Sequence, residues 1–211
     1  MIKIEKFLDY LLNRGFELSK LVSIVAGIMI MTMAFVITID ITARKFLNWT
    51  LEGADEFAGY TLAITGALAL THALFHKRHI RIDLIVRIFN KWPTISSVFD
   101  IVALIALAVF IFPLSILAVN VFLMSWQFGS RANTIAEIPL IYPQSLWMIG
   151  FVIFSFVIFL MLLRTLIAFF KNEHAVVKNL IGIKSEKEEI EDEKEFKSSN
   201  KKQDNNLNYE K

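Results

Sequence analysis

The side chains able to do acid–base or ligand chemistry are few inside the long apolar stretches of this chain, and those nearest to them sit at their edges. There are four histidines, His72, His76, His79 and His174. His72 and His76 are four residues apart, so on a helix they share a face and could hold a metal between them. No third ligand follows at a fitting depth. A membrane haem needs axial ligands facing one another from different helices, whereas three of these histidines share one short stretch. The absence of cysteine removes disulfides, thiolate metal sites and cysteine nucleophiles. Nor is there a phosphate-binding glycine loop, a GxSxG elbow or an HExxH pair. We therefore expect no catalytic residue, no cofactor, no metal site and no nucleic-acid partner.

The polar groups singled out at or near the apolar stretches are Asp40, Arg44, Glu56, Asp83, Asp100 and Asn120. Asp40 and Arg44 have the spacing of an ion pair on one helical face. Asp55 and Glu56 open an apolar stretch, where carboxylates suit the positive end of a helix dipole. Asp100 and Asn120 belong to a third stretch. An ionisable group inside a span is a functional candidate, but Asp100 lies near the span's edge.

These groups are positioned by four long apolar runs, Leu21–Ile39, Phe57–Phe75, Ile101–Trp126 and Ser145–Leu163. At about 1.5 Å of rise per residue, each can cross a hydrocarbon layer of roughly 30 Å. Water is absent there, so each run must satisfy its backbone groups as a helix. The expected fold is an all-α integral membrane protein with spans at about 21–39, 57–75, 98–126 and 145–166. The composition agrees, with 55% hydrophobic residues and 19 phenylalanines among 211 residues. The first run is preceded by charges of both signs and lacks a small-residue cleavage signature, which reads as a retained span. Lys3, Lys6, Arg14 and Lys20 precede span one, and Lys77, Arg78, Arg81, Arg87 and Lys91 follow span two. The other two loops carry only Arg44, Lys45 and Arg131. Basic short loops stay in the cytoplasm, so both termini are expected there.

Between the spans, residues 1–18 read as an amphipathic helix, with Ile4, Phe7, Leu8, Leu11 and Leu12 at helical spacing. It could lie in the membrane interface or simply extend span one. Span two carries small residues, Gly59, Ala63, Gly66 and Ala67, that would let another helix approach, and it is expected to be the most enclosed span. His72–Pro93 is a basic elbow suited to lipid headgroups, with Asp83 capping a short helix. Pro113 should kink span three. The loop 127–144 is apolar, and Ile138 and Leu140 would be out of place on a free solvated loop. Residues 171–211 form a charged tail, expected to be largely disordered.

Several local strings now combine with this layout. Glu56–Leu84 opens with an acid, carries a small-residue stripe with G-A-L-A, and ends in R-H-I-R-I-D-L around His79 and Asp83. A second string runs from S-W-Q at Trp126 through N-T-I-A-E-I-P to Pro139, and Arg44 after span one precedes a Trp-containing loop. Over roughly residues 19–170 the chain resembles the small permease subunits of TRAP (tripartite ATP-independent periplasmic) transporters. It departs from them at Phe75-His76-Lys77, where the family usually has a glycine near the end of span two. The resemblance implies a small subunit that braces a large elevator-type permease for sodium-coupled uptake of an organic acid, which a periplasmic binding protein delivers. It also implies a bacterial or archaeal inner membrane. On that reading Gly59, Ala63, Gly66 and Ala67 are a partner interface, together with Arg131, Ile138 and Leu140 on the outer face. The alternatives are a four-helix membrane anchor of a redox enzyme, with haem, and a free-standing channel or exporter. The histidine placement speaks against the first. The lack of midplane polar groups speaks against the second.

Overall fold

A computed structural model describes residues 2–76, 93–134 and 137–181 of the chain. Among them the architecture is entirely helical, apart from one isolated bridge between Arg131 and Pro139. The helices are α1 (Ile2–Leu47), α2 (Ala54–Phe75), α3 (Pro93–Phe128), α4 (Ile141–Phe170) and α5 (His174–Ile181). The first four are long and apolar enough to cross a membrane, in agreement with the four expected spans. One end of the bundle holds the start of α1 and the finish of α4, and is called here the terminal end. The loop end holds residues 48–53 and the turn between α3 and α4.

The apolar patterning explains the layering. α1 packs on α2, α2 on α4 and α4 on α3, while α5 tucks against α3 and α4. The main core draws on all five helices, with Leu74 contributed by α2 and with Phe154 and Ile158 of α4 fully buried at its centre. A second cluster joins Ala67, Ala118 and Phe151. α4 therefore touches every other helix, and its apolar window is 39% buried against 28% for α2 and 6% for α1. Within this chain alone, span four is thus more enclosed than span two. The small residues of α2 allow close approach, but the bulky side chains of α4 fill the centre and bury more surface.

Two expectations change. Residues 2–18 are helical and amphipathic, but they continue into span one without a break. Their apolar stripe does not lie wholly on lipid: Leu8 and Leu12 are buried in the main core, whereas Ile4 and Phe7 stay exposed. Protein covers part of the stripe because the end of α4 lies beside it. The tail expected from 171 begins with an ordered helix. Val177 and Ile181 lie four apart on α5 and are 0% and 1% exposed, so this short segment is held by burial. α3 runs on through Pro113.

Candidate partner interface

The loop end is tied together by acids. Asp40 is buried, and its carboxylate accepts from Arg44 at 2.6 Å and from the Leu51 backbone N–H at 2.7 Å. The i,i+4 pair read from the sequence is present, and it also fastens the α1–α2 connection. That connection turns at Asn48 and Gly53, which have φ of 50° and 85°. The left-handed conformation at Gly53 suits glycine, because a Cβ there would crowd the backbone. Glu56, in the first turn of α2, accepts from the hydroxyls of Tyr60 and Thr134. Thr134 belongs to the distant α3–α4 turn, so Glu56 anchors that turn to α2.

The α3–α4 turn is closed on itself. α3 stops at Gly129, with φ of 58°, and the chain returns through Ala132 N–H to Ile138 O at 2.9 Å and Leu140 N–H to Ser130 O at 3.0 Å. Exposed Arg131 donates to the Glu137 carbonyl at 3.3 Å. Ile138 and Leu140 are half-buried at the turn's base. This turn at the loop end is thus a compact platform, with Arg131 partly occupied in holding it.

The α2 stripe divides. Ala67 points into the bundle, where a Cβ added at Gly150 of α4 would lie 2.9 Å from the Ala67 Cβ and 3.1 Å from its carbonyl carbon. Gly59, Ala63 and Gly66 are exposed on another side, and a Cβ at Gly59 or Gly66 would meet nothing within 4 Å. Residues four apart drift by about 40° around a helix, so the sequence stripe Gly59, Ala63, Ala67 cannot keep a single face. The missed contact is Gly150. It was one glycine in an otherwise bulky span, and only its partner's depth reveals its role.

At the terminal end, Arg164 is 8% exposed at its side chain and donates Nε–H and Nη2–H to the two Asp9 oxygens at 2.7 and 3.3 Å. Lys171 pairs with Glu5 just beyond. These pairs fasten the start of α1 to the finish of α4. The sequence hinted at them only through an arginine closing span four and acids on the amphipathic segment. Asp100 is buried near Ser96 and Ser97, and Asn120 is exposed on α3. His72 and His76 do share a face, with ring centroids 4.2 Å apart. His72 Nδ1 lies 3.3 Å from the Ser19 hydroxyl, and His76 Nδ1–H donates to the His72 carbonyl at 3.1 Å. His174 Nε2 lies 3.5 Å from the Thr94 hydroxyl. Among the described residues no three potential ligands gather as a metal site. His79 and Asp83 lie outside the described residues.

No curated protein and no solved structure matches the chain. A family model, described as tripartite ATP-independent periplasmic transporters, DctQ component, matches residues 33–168, from within α1 almost to the end of α4. The match takes in the Asp40–Arg44 pair, Glu56 with Thr134, the divided α2 stripe and the closed turn, and spans well over half of the sequence. This multi-pass, four-span chain belongs to the DctQ family, and is a small inner-membrane component of a tripartite transporter.

Proposed function

We propose that the chain braces the large elevator-type permease of such a transporter, in sodium-coupled uptake of an organic acid brought by a periplasmic binding protein. The observation that carries this reading is the outward face of α2. Gly59, Ala63 and Gly66 leave a shallow, side-chain-free strip on a helix whose other side is already packed. In lipid, helix association depends on close packing, and such strips admit a neighbour's backbone. Asn120 adds support. It is exposed on α3, well inside the span, where a side-chain amide gains from a hydrogen-bonding partner that lipid tails cannot supply. The basic residues early in α1 and those after α2 support a reading with both termini in the cytoplasm of a bacterial or archaeal cell, and the Arg131 turn on the side where a binding protein would dock.

In this role the chain supplies position and no chemistry. The large subunit binds solute and sodium, and this subunit holds its static part at a fixed depth. The test is co-expression with the large permease and binding protein, followed by pull-down and by uptake in proteoliposomes under a sodium gradient. The reading expects Ala63→Leu to lower recovery of the large subunit while the chain itself stays folded. Full recovery and full uptake with that variant would place the partner elsewhere.

A further inference from the structure

The apolar belts of the helices are out of step with one another, and the contacts between helices measure by how much. Val22, Leu68 and Gly150 line one small crevice, and Ala118 shares a cluster with Ala67 and Phe151. These residues define a common height in the bundle. Other contacts agree with it. Gly15 faces both Phe75 and Val157, each seven residues from the reference in its own helix. Asp9 meets Arg164, thirteen and fourteen residues away.

Passing over hydroxyl side chains, half-buried His72 and Asn120, which stand inside the belts, the polar residue closing each belt from that height toward the terminal end is Lys20 on α1, His76 after α2, Arg164 on α4 and Asp100 on α3. At 1.5 Å per residue these lie about 3, 12, 21 and 27 Å away. Toward the loop end the closing residues are Asp40, Glu56, Gln144 and Gln127, at about 27, 18, 9 and 14 Å. The belts of α1, α2 and α4 are each about 30 Å long, the thickness of a hydrocarbon layer. Yet each is stepped by about 9 Å from its neighbour, in the order in which the helices pack.

We infer that the bundle stands obliquely in the bilayer, with the hydrocarbon layer crossing α1 nearer the loop end and α3 nearer the terminal end. An upright bundle cannot satisfy both sides. A layer set by α3 and α4 would immerse Arg14 and Asn13 of α1. A layer set by α1 would leave Phe110 and Val109, both 68% exposed, in water. The belt midpoints fall by about 19 Å from α1 to α3, nearly all of it between α1 and α4. Membrane helices are commonly tilted, and local thinning of the layer absorbs the shortened depth of an inclined belt. The inference rests on the family-independent fact of four spans and does not need the bracing role.

The chain has no cysteine, so single labels need no altered background. Spin labels at Asn13→Cys and Val109→Cys, and at Met31→Cys and Trp126→Cys, form two pairs, each at one height in the bundle. The full-length chain, purified from membranes and returned to lipid vesicles, is then probed by oxygen, which concentrates in hydrocarbon, and by a water-soluble nickel chelate. Val109 and Met31 should be relaxed chiefly by oxygen, and Asn13 and Trp126 chiefly by nickel. Arg14→Cys and Phe110→Cys repeat the first comparison should either variant be lost. Matching depths within both pairs would show an upright bundle and overturn the inference.

Discussion

Gly150→Ala is the smallest change that tests how α2 and α4 meet. The added methyl would lie 2.9 Å from the Ala67 Cβ, 3.1 Å from the Ala67 carbonyl carbon and 3.2 Å from the Leu68 nitrogen. Carbon atoms pack best at about 3.5–4.0 Å, so the helices must separate by several tenths of an ångström or more. Two of the three neighbours are backbone, which cannot swing aside as a flexible side chain can. Overpacking of this kind costs typically about 1–3 kcal/mol, which is about a five- to 150-fold loss in the folded fraction. Thermal or denaturant unfolding of the purified full-length chain in lipid–detergent mixtures should read that loss. Adding Ala67→Gly removes the nearest of the three contacts but neither backbone contact, so the double variant should recover stability only in part. A Gly150→Ala chain as stable as the original would refute the close approach. Full recovery in the double variant would show that the backbone contacts are looser than they stand here.

Other outcomes follow from the same contacts. Ala67→Leu should destabilise the isolated chain by about 1–3 kcal/mol, whereas Ala63→Leu, on the exposed side, should leave its unfolding unchanged. Equal effects in an unfolding titration would contradict the divided stripe. Asp9→Ala leaves the buried Arg164 guanidinium without its carboxylate, and should cost about 1–3 kcal/mol, since Asp9 itself is 44% exposed and the pair is partly screened. The swap Asp9→Arg with Arg164→Asp should restore part of this, and a swap no better than either single change would argue against the pairing. Cysteines at exposed Glu17 and Asn133 should label from opposite sides of the membrane, Glu17 from the cytoplasm. Ser19 would be a poor label site, because it is 4% exposed and its hydroxyl donates to the Phe16 carbonyl at 2.7 Å.

The fold was legible because lipid simplifies it. With no water at mid-bilayer, an apolar run of sufficient length has one outcome, and four such runs were readable as four helices. The Asp40–Arg44 pair was legible for the same local reason, since spacing along one helix fixes it. What escaped the sequence were relations between helices. Ala67 and Gly150 meet, as do Asp9 and Arg164, and Glu56 with Thr134, across separations that no periodicity encodes. The α2 stripe was read as one face, although its members rotate away from each other. Which small residue turns inward depends on where the glycine of α4 stands.

α1 shows how these relations bear on function. It is 46 residues long, about 69 Å, yet its apolar window is only 6% buried. A helix so bare keeps most of the apolar surface of that window facing outward. Besides its packing on α2 it is fastened at separated points: Glu5 and Asp9 to Lys171 and Arg164 at the terminal end, Ser19 beside His72, and Asp40 to the Leu51 backbone at the loop end. Polar ties at known places fix direction more than they add stability, because each requires its partners in one geometry. A helix held this way keeps its angle to the bundle while offering its outer side to lipid or to another protein. A rigid member with a free side is what a brace requires. Its ties can be tested separately from its surface: Asp40→Asn should loosen the α1–α2 connection without altering the exposed apolar face. If the chain's function is mechanical, that change should lower uptake in the assembled transporter while the large subunit is still recovered. Unchanged uptake would mean that the angle of α1 is not what the complex uses.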